Sequence, residues 1–160
     1  MGIEIERKFL VASEGWREGV VRVARFRQGY LCLDGPASVR VRVSDSEAFI
    51  NIKSGVAGMV RDEFEYPVPL EEARQMLERL CVRPLIEKTR HWVRAADQTW
   101  EVDVFAGDNA GLVVAEIELE SEDQPLERPV WLGEEVTHDR RYYNVALVRH
   151  PYIEWGKRRP

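Results

Sequence analysis

Apolar and polar residues alternate with a period of two over most of this chain, the pattern of β-strands that turn one face to a core. The alternation runs through residues 3–11, 24–32, 38–43, 47–53, 59–66, 85–95, 99–105 and 112–120, which predicts eight strands. Turn-forming residues separate most of them: Asp34-Gly35-Pro36, Ser44-Asp45-Ser46, the stretch from Ser54 to Gly58, Ala96-Asp97-Gln98, and Gly107-Asp108-Asn109 on to Gly111. Connections this short join antiparallel neighbours. Two segments change to helical spacing. Residues 70–82 put Leu70, Ala73, Leu77 and Leu80 on one stripe, with Glu71, Glu72, Arg74 and Glu78 off it, so an amphipathic helix is expected to cover the sheet. A second helix is expected from Thr137, a capping residue ahead of Asp139, through Tyr143, Ala146 and Leu147 to His150, where Pro151 stops it. The fold class is mainly β, an antiparallel α+β arrangement, as one domain over residues 1–160.

The polar half of the alternation is unusual. In an ordinary antiparallel sheet that face meets water and carries a loose assortment of residues. Here Glu4, Glu6 and Lys8 share a face, as do Arg40 and Arg42, Asn51 and Lys53, Arg61, Glu63 and Glu65, Lys88 and Arg90, Glu101 and Asp103, and Glu116, Glu118 and Glu120. Like charges two residues apart on a strand lie ~7 Å from each other and repel by roughly 2 kcal/mol at an effective dielectric of 20. In water and salt that cost largely disappears, so one such pair is an ordinary solvated face. Repetition on nearly every strand fits better with a barrel whose interior carries both signs of charge. Glu101, Glu120 and Arg61 share the inward parity but lie near strand ends, and are read as solvated.

Composition narrows the function. The 160 residues are 44% hydrophobic and 32% charged with a formal net charge of -5, which disfavours disorder and a global field for nucleic acid. No run is apolar enough for a membrane-spanning helix. The start, Met1 to Glu6, carries acids where a signal peptide needs basic and then apolar residues, and Cys32 and Cys81 make no disulfide framework, so a cytoplasmic location is expected. The segment from Asp123 to Pro129 and the basic Lys157, Arg158 and Arg159 read as exposed connection and terminus.

A charged interior has a matching ligand. Arg40, Arg42, Lys53, Lys88 and Arg90 suit phosphate oxygens, the arginines as planar forks and the lysines as point charges. Glu4, Glu6, Glu63, Glu116 and Glu118 are hard oxygen donors with no paired His or Cys, which suits Mg²⁺ or Mn²⁺ above zinc. Together they point to metal-assisted phosphoanhydride hydrolysis. The glycines from Gly55 to Gly58 lack the Gly-Lys-Ser/Thr ending of a phosphate loop and read as a hairpin turn. His91, His138 and His150 have no partner at catalytic spacing.

These residues resemble the CYTH proteins, named for class IV adenylate cyclase and thiamine triphosphatase and also called triphosphate tunnel metalloenzymes. Glu4-Ile5-Glu6-Arg7-Lys8 matches the family's Glu-X-Glu-X-Lys signature. In order follow Gln28-Gly29-Tyr30-Leu31, Arg40-Val41-Arg42, Ile52-Lys53, Glu63-Phe64-Glu65-Tyr66, Lys88-Thr89-Arg90, Asp103-Val104-Phe105, Ala115-Glu116-Ile117-Glu118-Leu119 and Asp139-Arg140-Arg141-Tyr142. The resemblance implies an eight-stranded antiparallel closed barrel, open at both ends, with triphosphate held inside.

It implies a phosphate-binding set of Lys8, Arg40, Arg42, Lys53, Lys88 and Arg90, and a metal set of Glu4, Glu6, Glu116 and Glu118. Glu63, Glu65 and Asp103 match acidic tunnel positions divided between metal coordination and water activation, so they join Lys88 as catalytic candidates. Tyr30 and Tyr142 match positions near the phosphate or the tunnel mouth, and the helix from Thr137 resembles one that closes that mouth. The short chain is most similar to bacterial inorganic triphosphatases, so the expected reaction turns tripolyphosphate into pyrophosphate and phosphate with Mg²⁺ or Mn²⁺. A class IV adenylate cyclase, a thiamine or nucleoside triphosphatase, and a non-catalytic polyphosphate-binding module are the alternatives. The expected partner is the small triphosphate itself, with no nucleic acid and no membrane; a homodimer is left open.

Overall fold

In the computed structural model, residues 2–156 are described; the basic stretch from Lys157 lies outside them. The strands are β1 (Ile3–Val11), β2 (Val20–Cys32), β3 (Ala37–Val43), β4 (Ala48–Ser54), β5 (Val60–Pro67), β6 (Val82–Ala95), β7 (Gln98–Phe105), β8 (Val113–Glu118) and β9 (Leu132–Glu135). The helices are α1 (Leu70–Arg79) and α2 (Asn144–Arg149). All strand pairs are antiparallel, in the order β5-β4-β3-β2-β6-β7-β8-β1, and β1 also pairs with β5. That last pairing closes eight strands into a ring. β9, which lacks a visible alternation in the sequence, adds to β1 through Phe9 and Val11.

Three of the predicted strands depart by more than one residue from the bounds that the alternation indicates. β2 begins at Val20, where Val20-Val21 hides the period, and β8 ends at Glu118, leaving Glu120 exposed. β6 begins at Val82, before Pro84. A proline survives there because the register between β2 and β6 shifts from Gln28↔Ile86 to Tyr30↔Val82, and Pro84 falls in the resulting bulge. The bulge brings β6 against Gly29, where a Cβ would meet Leu85 and Cys81 at 2.7 Å; only glycine allows this approach.

Because the ring's interior is charged, the apolar faces point outward and must be covered there. Phe9, Val93, Trp100, Val102, Ala115 and Ile117 are covered by Trp16, from a 3-10 turn over Glu14–Gly19, and by Trp131. Val41, Val43 and Ala48 are covered by Ala73 and Leu77 of α1. α1 stops at Arg79, short of the expected residue 82, and Leu80 is 65% exposed, outside the apolar stripe assigned to it. Chain reversal into β6 ends the helix there. The outer face of β5 is uncovered, with Phe64 and Tyr66 46% and 55% exposed, and so is the start of β2 at Val21 and Val23. No helix among the described residues is long and apolar enough to cross a membrane.

The second helix differs from expectation at its start. Thr137 does not cap it. Its hydroxyl accepts from the Lys8 backbone N–H (3.0 Å) and donates to Glu135 (2.6 Å), tying the chain to β1. Asp139 instead caps a 3-10 turn over Arg140–Tyr142, and α2 begins only at Asn144. α2 then packs Leu147 and Val148 against Tyr30, Ile86, Phe105, Leu112 and Val114, an apolar cluster across one end of the barrel. The expectation of two open ends meets a helix seated at one of them.

The tie between β9 and β1 is ionic as well. Arg7 donates Nε and Nη2 to the two oxygens of Glu135 at 2.9 and 2.7 Å. That bidentate bond, and the one from Thr137, hold the Glu135 carboxyl down at about 2 against an ordinary 4.5. A carboxyl lowered on folding adds stability at pH values above its ordinary one, and loses it as pH falls toward the lowered one. Glu135→Gln is therefore expected to destabilise the protein by about 1–2 kcal/mol at pH 7, discounted for partial exposure. Urea titration of both forms should show the difference closing between pH 4 and pH 2; a gap independent of pH would refute the assignment.

Candidate active site

Side chains from all eight ring strands wall a cavity of about 230 Å³ along the barrel axis. Strand parity puts them there: alternate residues of β1, β3, β5, β6 and β8 point to the axis. Glu4, Glu6, Lys8, Tyr30, Arg40, Arg42, Lys53, Glu63, Glu65, Lys88, Arg90, Glu116 and Glu118 line it, as the sequence indicates. Asp103 does not reach the wall. It is fully buried behind Arg90 and Lys88, accepting from Arg90 Nε and Nη2 at 2.8 and 2.9 Å and from Lys88 Nζ at 2.8 Å.

Where both of two directly opposed residues on the inner wall are charged, most carry opposite signs: Lys53 faces Glu63, Arg90 faces Asp103, Lys8 faces Glu116 and Glu4 faces Arg61. Two pairs break the rule. Glu6 faces Glu118 across β1 and β8, and Glu101 faces Glu116 across β7 and β8. Like charges directly opposite destabilise a sheet; Arg90 reaches both Glu101 and Glu116, at 2.8 and 3.8 Å, so it is Glu6 with Glu118 that works against folding unless a cation or proton offsets it. Carboxylate oxygens of Glu4, Glu6 and Glu118 lie within 4.8 Å of one another, a spacing and an oxygen-only donor set that fit a divalent cation. Glu116 is not in this group; it is held by charges from Lys8, Arg90 and Lys88.

The ionisation states follow from these neighbours. Burial, with Glu116 and Glu4 beside it, pushes Glu6 well above the usual carboxylate range. Burial opposes the charge of Glu116 too, but Lys8, the hydrogen bond with Glu6 and Arg90 prevail and hold it well below that range. Burial likewise acts against Asp103, and Arg90 and Lys88 outweigh it, keeping the carboxylate ionised. Burial lowers Lys88 to about 8 in spite of Asp103. Arg42 falls to about 10 through burial and its neighbours Arg40 and Arg90, and stays charged at neutral pH. Arg40 Nε is buried without a hydrogen-bond partner, a donor left for an anion in the cavity.

A CYTH domain profile matches residues 2–146. The chain belongs to the CYTH family. It is 45% identical over 152 residues to the inorganic triphosphatase of Acetivibrio thermocellus, covering 95% of this chain and 97% of that protein. It is 40% identical over 149 residues to the inorganic triphosphatase of Nitrosomonas europaea, covering 91% and 96%. A crystal structure of an inorganic triphosphatase superposes with a TM-score of 0.67 at 38% identity, covering 91% of this chain and 93% of that one. The ring of eight antiparallel strands is thus the fold of this CYTH family.

Several wall residues lie outside the set read from the sequence. Glu101 and Arg61, taken as solvated, line the cavity: Glu101 accepts from Arg90 Nη1 at 2.8 Å, and Arg61 lies 3.8 Å from Glu4. Their parity was the valid signal; closure of the ring turns strand ends into walls. Tyr142 is displaced from its expected role. Its ring packs on Trp155, and only its carbonyl meets the site, accepting from Lys8 Nζ at 3.3 Å. Tyr143 takes the wall position, its ring 5.0 Å from Lys8 Nζ and 5.3 Å from the Arg61 guanidinium. Its hydroxyl donates to Thr137 O and accepts from the Gly58 N–H, joining the β4–β5 hairpin turn to the segment before α2. Ser38, on the parity of Arg40 and Arg42, joins the wall with Asn144 and Val145, and the last two have no pattern in the sequence that marks them.

Inside and outside can be tested with neighbours on one strand. Val41 has no exposed surface and packs on α1, whereas Arg40 faces the cavity. Val41→Asp is expected to unfold the protein, since burying an unpaired carboxylate costs several kcal/mol. Arg40→Ala is expected to keep a folded circular-dichroism spectrum while tripolyphosphate binding weakens at least about tenfold, the loss of one charge-assisted contact. A folded Val41→Asp with an unfolded Arg40→Ala would reverse the assignment of faces.

Proposed function

We propose that this protein hydrolyses inorganic tripolyphosphate to pyrophosphate and phosphate with Mg²⁺ or Mn²⁺. The observation that carries the reading is one cavity in which a basic wall faces a cluster of carboxylates, in a chain 45% identical to an inorganic triphosphatase. Arg40, Arg42, Lys53, Arg90 and Lys8 hold the phosphate oxygens. Glu4, Glu6 and Glu118 hold a divalent ion, with Glu116 beside them. Such an ion neutralises substrate charge and polarises a phosphoryl oxygen. Two free cysteines and the charge-rich surface fit a reducing, cytoplasmic setting.

Lys88 is our candidate for proton transfer. Two of its N–H bonds are taken by Asp103 and Asn144, which leaves one position of Nζ open, and Lys88 lines the cavity. With a pKa of about 8, its neutral form is accessible near physiological pH. Water attacks the terminal phosphorus, its proton passes to neutral Nζ, the bridging P–O bond breaks and pyrophosphate leaves. Asp103 orients Lys88 and Arg90 and does not react, because its oxygens are fully engaged. Glu63, paired with Lys53 at 3.3 Å, and Glu65, accepting from Asn51 at 2.6 Å, keep the opposite wall aligned.

Phosphate release from tripolyphosphate, ATP and thiamine triphosphate, with a parallel cyclic-AMP assay, tests the reaction. The expected kcat/KM for tripolyphosphate is at least about tenfold above that for ATP, roughly 1.4 kcal/mol in transition-state binding. Excess chelator should abolish turnover and Mg²⁺ or Mn²⁺ restore it. Faster cyclic-AMP formation makes the protein a cyclase; tight binding without turnover makes it a polyphosphate-binding module. Activity should also rise with pH through about 8 as Nζ loses its proton, and Lys88→Met should remove that limb. A flat wild-type profile argues against Lys88 as the base.

A further inference from the structure

Lys88 is held from two sides, and the second holder lies outside the barrel strands. Asn144, the first residue of α2, accepts from Lys88 Nζ at 3.0 Å and from Gln28 Nε2 at 2.7 Å, both at the same oxygen, Oδ1. An ammonium can only donate. The Asn144 amide must therefore present its oxygen to Lys88, and Gln28 must present its nitrogen to that oxygen. Chemistry alone determines both amide orientations. The arrangement has a cost: Gln28 has no exposed surface, and its Oε1 is left buried without a partner. A fold that leaves this acceptor desolvated gains nothing in stability over an apolar residue at position 28.

We propose that Asn144, itself oriented by Gln28, is a positioning residue that aims the Lys88 ammonium into the cavity and does so only when α2 is seated. The inference rests on Lys88 acting as proposed above, and it deepens that reading by linking the helix to the reacting group. The seat of α2 is provided separately, by Leu147 and Val148 on Ile86, Phe105 and Val114. Asn144 is thus free to serve aim and not attachment. Without it, Nζ keeps only Asp103 as a hydrogen-bond partner, with the Phe105 ring 5.5 Å away supplying no directional acceptor.

Three variants test this. Asn144→Ala removes the acceptor; kcat for tripolyphosphate is expected to fall roughly tenfold with KM changed less than about twofold. Gln28→Met removes the orphan oxygen and the donor to Asn144; thermal stability should hold or rise while kcat falls. Asn144→Asp puts a carboxylate on Nζ. The charged groups already facing Nζ are Asp103 on β7, Arg90 on β6, Glu116 on β8 and Arg40 on β3.

Against that fixed background, Asn144→Asp should move the Lys88 titration to higher pH and Asn144→Ala to lower pH. NMR of the lysine side chain, in protein without substrate or metal, reads the titration independently of turnover. Opposite shifts in the two variants support positioning even if the wild type proves unable to hydrolyse tripolyphosphate, in which case only the proposed reaction falls. An unchanged Lys88 titration in both variants, or a kcat for Asn144→Ala equal to wild type in an active enzyme, overturns the proposal.

Discussion

Charge enclosed in a ring of strands has to be neutralised from within, and that requirement organises this molecule. Transferring a lone carboxylate or guanidinium from water to a protein interior costs several kcal/mol. The barrel meets the cost by opposing signs across neighbouring strands, most completely where Asp103 binds Arg90 and Lys88 with no exposed surface of its own. The neutralisation is incomplete in one sector, at Glu6 with Glu118, and on the basic wall, where Arg40 Nε lacks a partner. Those two residual imbalances have opposite sign. A polyanion together with a divalent cation, the pair required by the reaction proposed above, carries the charges that would cancel both.

The same constraint displaces the core. A barrel of this size usually fills its interior with apolar side chains. Here they point outward, so the hydrophobic effect acts between the ring and whatever wraps it: Trp16 and Trp131 over β1, β7 and β8, and α1 over β3 and β4. The wrapping segments are consequently structural necessities, and the inner wall is relieved of any packing role. That separation is why residues as close as Arg40 and Val41 report on different properties, ligand binding and folding.

One end of the barrel breaks the pattern. There the interior becomes apolar, and α2 closes over it with Leu147 and Val148. The junction between charged and apolar interior falls at Tyr143 and Asn144, which offer an aromatic face to Lys8 and Arg61 and an amide oxygen to Lys88. A polar residue at a helix start and an aromatic beside it are the chemical means of joining a hydrophobic seat to an ionic site.

How much of this was legible beforehand follows from the range of each interaction. Strand alternation is local, so the parity of Glu4, Arg40, Lys53, Lys88 and Glu116 could be read directly, and with it a two-signed interior and the family resemblance. The sequence by itself determined the inward and outward parity of the strands, and that the inward side carries charges of both signs suited to phosphate oxygens and hard cations. What it could not supply were contacts between residues far apart in the chain with no periodic spacing. Only the tertiary structure decided that Arg61 and Glu101 join the wall, that Asp103 stands behind it, that Tyr143 replaces Tyr142, and that Asn144 reaches across 56 positions to Lys88. A side chain's facing is set by its own strand, whereas its partner is set by where the ring closes and where α2 comes to rest.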